Sequence, residues 1–244
     1  MTIESRLDFL LQGRNIYPWA ESIGLRGPIE GMRYKKSVPG GETLVAIRKC
    51  ENARIDWILE GSGEPYITSK VLNDTDAIEL ITELFAESWT IYLLTNQTRI
   101  AIVLTRPGSY QVKDGKDENG EQQYRWVNYS NIELIVGFIG PKTIAFLQHQ
   151  AATSEVRLVE VSDAQMAALE KGMIGTYLLT KSPDGILSNN QIISDKHPLF
   201  SQPGQQPLFS YTDAEIQLLK QYREISAEGK NAVTQVINAM TPPK

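Results

Sequence analysis

Apolar residues in the first 60 positions recur with a helical period, and glycine interrupts the pattern at short intervals. Leu7, Leu10 and Leu11 follow the three- and four-residue spacing of a helix face, and Gly13 comes next as a stop signal. The same pattern predicts four further short helices, which begin near residues 15, 27, 42 and 54. The first quarter of the chain is therefore predicted to be a group of five helices.

The turn between the second and third helices carries the clearest local signals. Asn15 is a suitable N-cap, and Pro18 falls in the first turn of a helix, where its missing N–H is not needed. Ala20 is small enough for another helix to cross close to it, and Gly24 lets the chain leave the helix in a left-handed conformation. Residues 15–36 are therefore predicted to form two short helices joined by a tight turn.

From about Ser88 the period changes to that of β-strands. Segments rich in β-branched and aromatic residues follow one another, joined by short or polar turns. The segment 182–210 holds prolines and many Asn and Gln without a usable period. The end of the chain has the pattern of two amphipathic helices, the first with a capping box at Thr212 and Glu215.

These patterns predict an α+β fold with an N-terminal five-helix helix-turn-helix domain, then a β-rich domain with an antiparallel sheet and two C-terminal helices. The predicted organisation is a DNA-binding helical domain at 1–66, a linker or connecting helix at 67–87, a β-rich regulatory and oligomerisation domain at 88–181, a Pro-rich loop at 182–210 and C-terminal helices at 211–244. We find no internal repeat in the sequence.

Composition narrows the function classes. The chain has 244 residues, 41% of them apolar, and a net charge of -5, so it is not a protein coated in cations. Cys50 is the only cysteine, which excludes an internal disulfide and favours a reducing compartment. With only His149 and His197 besides, no zinc site or other metal is expected, and no cofactor. The sequence shows neither a secretory signal nor an apolar run of membrane-spanning length.

One short segment reverses the charge of the chain. Between Arg26 and Lys36 there are four cations and one anion, an excess of three positive charges. Such a local field is expected of an element that faces DNA. The third helix is predicted to enter the major groove, with Arg33 and Tyr34 near bases. The predicted DNA-binding residues, which include phosphate contacts before and after that helix, are Arg14, Asn15, Arg26, Gly27, Glu30, Arg33, Tyr34, Lys35 and Lys36.

Residues 5–66 resemble the N-terminal DNA-binding domain of phage CI-type repressors and related prophage regulators. The matching segments are "WAESIGL", the pair Ile29 and Met32 with the basic residues after it, and "LVAIRKCENARIDWILEGSGEPY". The end of the last segment is similar to the family's closing "L-D-W-L-L-T-G-E-G-P" element. Ile29 stands one position earlier than the family's spacing, so the turn is one residue shorter. The resemblance implies a transcriptional regulator, a repressor that binds operator DNA as a dimer or higher oligomer in the cytoplasm of a bacterial or phage-infected cell.

The same family sets an expectation about enzymatic activity. Many relatives carry a self-cleaving C-terminal domain with a serine nucleophile and a lysine base. The family's Gly-Asp-Ser-Met type of stretch is missing here, and Ser88 and Ser109 lack its flanking residues. Asp117 and Glu118 form an acidic pair, but they lie in a hydrophilic turn where charges are solvated. We therefore expect no self-cleavage and no other enzymatic activity.

The C-terminal helices are candidates for self-association. Their apolar stripes either fold back on the same chain or pack against the same helices of a second subunit, and the β-rich half is the other candidate for dimerisation. The predicted oligomerisation residues are Ile216, Leu219, Tyr222, Val233, Val236 and Ile237. An alternative function keeps the helical domain as a protein-interaction module, such as an antirepressor or assembly factor. The expected partners are double-stranded operator DNA, a second copy of the chain and, as a further candidate, an antirepressor protein, with no membrane.

Overall fold

The computed structural model describes residues 1–25, 38–85, 87–201, 218, 221–222 and 224–240. The chain divides into two compact units, Met1–Gln205 and Gln206–Lys244. The first unit contains the N-terminal helices and a β-sheet, and the second contains the C-terminal helical segment.

The helices described near the N-terminus begin and end at residues with local capping chemistry. They are α1 (Ile3–Leu11), α2 (Ile16–Ser22), α3 (Gly41–Glu51) and α4 (Ile55–Glu60). The side chains of Thr2 and Asn15 accept backbone N–H groups at the starts of α1 and α2. Gly61 ends α4 in the left-handed region, with φ 78°. The predicted third helix falls within residues 26–37, which lie outside the described residues.

The middle of the chain forms a sheet, in which the described residues supply six strands. The strands are β1 (Ser69–Val71), β2 (Thr90–Thr95), β3 (Ile100–Lys116), β4 (Gln122–Gly137), β5 (Val156–Glu160) and β6 (Asn190–Ile193). Their order across the sheet is β1-β4-β3-β2-β5-β6. The two long strands β3 and β4 are therefore neighbours inside the sheet, with β1 on the other side of β4 and β2 on the other side of β3.

The predicted antiparallel sheet is wrong, because the sheet is mixed. The pairs β1–β4 and β2–β5 are parallel, whereas β2–β3, β3–β4 and β5–β6 are antiparallel. Successive side chains of a strand point to opposite faces whether its neighbour is parallel or antiparallel, so the residue pattern does not reveal the direction of a strand. The helix after β1 leads to β2, and the helix after β4 leads to β5. In each case the two strands joined by the helix run in the same direction, so the pairs β1–β4 and β2–β5 are parallel.

Helices cover both faces of the sheet. On one face α5 (Asp74–Phe85) and α6 (Pro141–Ala151) pack on β2, β3 and β4 through a shared apolar core. On the other face α7 (Asp163–Glu170) and a π-helical turn (Tyr177–Lys181) pack through a second core. The strands are therefore apolar on both faces where the helices cover them, as in Leu93 and Val103, which are fully buried.

Beyond the six-stranded region, β3 and β4 continue together as a two-stranded ribbon. β2 pairs with β3 only from Ile100 to Thr105, and β1 pairs with β4 only from Ile135 to Gly137. We call residues 106–116 and 122–131 the β-ribbon. One face of the β-ribbon packs on the N-terminal helices, and its other face is exposed to solvent.

The predicted N-terminal helical domain is wrong as a separate domain. Its apolar core includes Val127 of the β-ribbon, and Tyr110, Val112 and Tyr129 pack against that core. The backbone N–H of Tyr66 also donates to a carbonyl just after α7, at 3.1 Å. Helices this short bury too little surface among themselves, and here they complete their core on strand residues more than 40 positions away in sequence.

The stretch predicted as a Pro-rich loop at 182–210 contains regular structure as far as residue 201. Two short 3-10 helices, Ile186–Ser188 and Pro198–Ser201, flank β6, which adds an edge strand to the sheet. Leu199 and Phe200 are buried in the core beneath α6. In the second unit, the structure describes one full helix, α8 (Ala227–Met240).

Candidate nucleic-acid interface

The turn that follows α2 has the geometry expected of a tight helix-to-helix connection. Gly24 is in the left-handed region with φ 74°, and its N–H donates to the Glu21 carbonyl at 3.1 Å. The N–H of Leu25 donates to the Ala20 carbonyl at 2.7 Å. This pair of bonds is a Schellman motif, which satisfies carbonyls at the end of a helix and turns the chain away from it. Ala20 is buried, as expected for a residue beside a crossing element.

The basic segment follows immediately after this turn. Seven of the predicted DNA-binding residues lie outside the described residues, and they are Arg26, Gly27, Glu30, Arg33, Tyr34, Lys35 and Lys36. Their assignment to bases and phosphates remains a prediction. The described chain resumes at Val38, an exposed residue, and α3 begins shortly afterwards.

Arg14, predicted to contact phosphate, is held inside the N-terminal helical cluster. Its guanidinium forms a two-point ion pair with Glu51, with N···O distances of 2.8 and 2.9 Å, and it also donates to the carbonyls of Leu10 and Leu11. Glu51 is 1% exposed and accepts a further hydrogen bond from the Trp19 indole at 2.8 Å. Without Arg14 the buried carboxylate would keep only the hydrogen bond from Trp19, so Arg14 fixes α3 against α1 and α2.

Asn15 and Arg14 nevertheless share a surface pocket. Asn15 is exposed, and its side-chain oxygen accepts from the Tyr17 N–H at 3.3 Å, which caps α2. The pocket encloses about 320 Å³ and is lined by Arg14, Asn15, Pro18, Trp19, Ser22, Tyr177 and Lys181. The Arg14 guanidinium lies 4.1 Å from the centre of the Tyr177 ring. Lys181, which follows Asn15 by more than 160 positions in the sequence, therefore adds a second cationic side chain to this pocket at the start of α2.

Three β-ribbon residues that sequence reasoning missed contact the end of α2. The Tyr110 hydroxyl donates to the Ile23 carbonyl at 2.8 Å, and the Arg125 guanidinium donates to the Glu21 carbonyl at 2.5 Å. Val112 lies against Gly24, where an added Cβ would be 2.6 Å from the Val112 Cγ1 atom. The strand pattern places Tyr110 and Val112 on one face, but no local signal identifies the helix that this face meets.

Tyr110 also contacts Cys50 of α3. The Cys50 sulfur lies 3.5 Å from the Tyr110 oxygen. Burial raises the pKa of the Cys50 thiol above its ordinary value, and burial together with the neighbouring thiol raises the pKa of Tyr110. Both groups therefore stay protonated at neutral pH, and Tyr110 keeps the proton that it donates to Ile23.

The outward face of the β-ribbon exposes two aromatic side chains. Tyr124 is 56% exposed and Trp126 is 61% exposed. They stand opposite Lys113 and Gln111 in the strand register. These exposed side chains distinguish this face from the inner face, which contacts the helices.

The predicted oligomerisation residues are only partly within the described chain. Ile216 and Leu219 lie outside the described residues, as does the side chain of Ile237. Val233 is 37% exposed and Val236 is 58% exposed on α8, and Tyr222 is partly buried. Their role in self-association remains a prediction.

The described residues contain no candidate membrane-spanning helix and no candidate metal site. None of the helices in the described ranges combines the length and apolar character needed to cross a membrane. In the same ranges no three His, Cys, Asp or Glu side chains are grouped so that they could hold a metal ion. Comparison of the chain with protein-family models, with curated proteins and with solved structures finds no match.

Proposed function

We propose that the protein is a sequence-specific DNA-binding regulator of transcription, a repressor that binds operator DNA as a dimer or higher oligomer. The observation that carries the proposal is the turn after α2. Buried Ala20, left-handed Gly24 and the Schellman bonds end α2 directly before the basic segment 26–37. A short helix, a tight turn and a basic element in this order are the parts of a helix-turn-helix reader.

The charge distribution also supports a DNA-binding role for the segment 26–37. The chain carries a net charge of -5, yet Arg26, Arg33, Lys35 and Lys36 lie within eleven consecutive positions that contain one anion, Glu30. A local cationic element attracts the phosphate backbone, and the acidic remainder limits binding elsewhere on the surface. In this proposal Arg33 and Tyr34 contact base edges, and Lys35 and Lys36 contact phosphates.

In the proposal Arg14 has a structural role, which differs from the phosphate contact expected from the sequence. Four of its five N–H donors are used by Glu51 and by two carbonyls, so a phosphate contact would have to compete with a buried ion pair. We therefore assign Arg14 to holding α2, and we keep Asn15 as the phosphate contact at the start of that helix. The proposal includes no peptidase activity.

The test is selection of duplexes from a randomised DNA library by the full-length protein, followed by affinity measurements on the selected duplex and on a random duplex. Arg33→Ala should lose about 1–3 kcal/mol of discrimination between the two duplexes, whereas Lys36→Ala should weaken binding to both about equally. Arg33→Lys keeps the charge but not the two-point geometry, so it should also lose discrimination.

The matched control for these variants is Lys142→Ala, which removes an exposed cation from α6 and should change neither affinity. If the wild-type protein selects no sequence at any salt concentration, the proposal is overturned. That outcome favours the alternative, in which the N-terminal helices bind a protein partner.

A further inference from the structure

The β-ribbon contacts the last turn of α2 through two hydrogen bonds and one packing contact. Tyr110 donates to the Ile23 carbonyl and Arg125 donates to the Glu21 carbonyl, at 2.8 and 2.5 Å. Both carbonyls belong to the end of a helix, where backbone acceptors lack intrahelical partners or share them. The ribbon therefore caps α2 from outside the helical segment.

The packing contact lies at the turn itself. Gly24 has no side chain, and its Cα approaches Val112 so closely that an added Cβ would be 2.6 Å from a Val112 methyl carbon. The backbone of the turn thus rests directly on the ribbon. The ribbon therefore contacts the turn that directly precedes the basic segment 26–37 in sequence.

Tyr110 also contacts the helix that follows the basic segment. Its hydroxyl oxygen is 3.5 Å from the sulfur of Cys50, and the Lys49 ammonium lies 5.5 Å from the centre of its ring. Lys49 and Cys50 belong to α3, whereas Ile23 is the C-cap of α2. One side chain therefore holds both helices that flank the segment 26–37.

We propose that the β-ribbon is a positioning element for the DNA-binding segment, and that Tyr110 and Arg125 are its positioning residues. This inference rests on the proposed function. Base contacts require the reading element to be held within about half an ångström of its productive geometry, whereas Lys and Arg reach phosphates as flexible point charges. Loosening the ribbon contacts should therefore weaken sequence-specific binding and leave non-specific binding unchanged.

The experiment compares variants that remove the donors and little else. Tyr110→Phe deletes one hydroxyl and keeps the ring, and Arg125→Ala deletes the second donor. We expect each variant to lose about threefold to tenfold in affinity for the selected duplex. Affinity for a random duplex, measured at the same salt concentration, should stay within experimental error. The thermal midpoint should fall by no more than about 2–4 °C, as expected for the loss of one hydrogen bond.

Matched controls come from the outward face of the same ribbon. Tyr124→Phe and Lys113→Ala change an exposed tyrosine and an exposed cation that have no contact with α2 among the described residues, and we expect neither to alter either affinity. Equal losses on both duplexes in the Tyr110 and Arg125 variants would mean a general defect and overturn the inference. Unchanged affinity for the selected duplex in both variants would overturn it as well.

A second measurement separates this inference from the proposed function. Amide hydrogen exchange of Gly24 and Leu25 should speed up in Tyr110→Phe and in Arg125→Ala, relative to the controls, whether or not DNA is present. If wild-type protein selects no DNA sequence, the proposed function fails and the positioning role fails with it. Selection by wild type with unchanged exchange at Gly24 overturns the positioning role alone.

Discussion

At the scale of single residues, Glu133 is a carboxylate placed among apolar neighbours in β4. Ile132 and Leu134 on either side of it are buried, and its register partner Leu104 is fully buried. Burial raises the pKa of Glu133 above the ordinary value of a glutamate, and the Arg48 cation offsets part of this effect. The folded protein therefore binds the Glu133 proton more tightly than the unfolded chain does.

This shift predicts a pH-dependent effect of Glu133→Gln. A raised pKa in the folded state means that stability falls as pH rises from the ordinary pKa of a glutamate through the raised one, because the folded state must then hold a desolvated charge. Glu133→Gln removes that charge, so its free energy of unfolding should exceed that of wild type at about pH 8 and approach it at about pH 4. Urea denaturation at the two pH values measures the difference.

Glu160→Gln is the control for Glu133→Gln, because Glu160 lies in β5 and its side chain is exposed. It should show no such dependence on pH. A Glu133→Gln variant that is less stable than wild type at about pH 8 would show that the Arg48 attraction outweighs desolvation.

At the scale of elements, α6 is capped by a residue of another helix. Gly140 precedes α6 and has no side chain to offer, and Pro141 lacks an N–H. Asp74, the first residue of α5, supplies the acceptors: its carboxylate takes the N–H of Lys142 at 3.2 Å and the N–H of Thr143 at 3.0 Å. It also accepts the Thr143 hydroxyl, which is buried, so one carboxylate joins α5 to α6.

Asp74→Ala should therefore lower the free energy of unfolding by about 2 kcal/mol, because it leaves a buried hydroxyl and two N–H groups of α6 without their acceptor. Asp74→Asn keeps one acceptor oxygen and should lose less. Chemical denaturation of the two variants and wild type checks the order of stability. Equal stabilities of Asp74→Ala and wild type would mean that water replaces the cap without loss.

At the scale of the whole molecule, the two units allow a test of where self-association lies. The first unit, Met1–Gln205, contains its own apolar cores, whereas α8 in the second unit exposes Val233 and Val236. Deleting residues 206–244 should leave a folded protein with a lower mass in light scattering and weaker binding to the selected duplex, because exposed apolar stripes on helices favour pairing with a second copy. An unchanged subunit number after deletion would place self-association in residues 1–205.

Much of the local structure could be predicted from the sequence, because its causes lie within a few residues. Asn15 caps α2, and Gly24 and Gly61 end helices in the left-handed region, as their positions in the pattern indicate. The side chain of Ser162 and that of Gln165 form the capping box of α7. Each of these interactions spans three or four positions, so the residues that make it are visible together in the sequence.

The sequence by itself therefore determined the ends of the short N-terminal helices, the stretches that form β2 to β5, and where the positive charge is concentrated. It did not reveal β1 and β6, which lie in stretches predicted as a linker and a loop. Only the tertiary structure decided that the sheet is mixed, that Arg14 pairs with Glu51, and that Tyr110 reaches Ile23 across 87 positions. The physical reason is that periodicity shows which face of an element is apolar, but not which partner covers that face. That choice depends on how all the apolar faces of the chain are buried together.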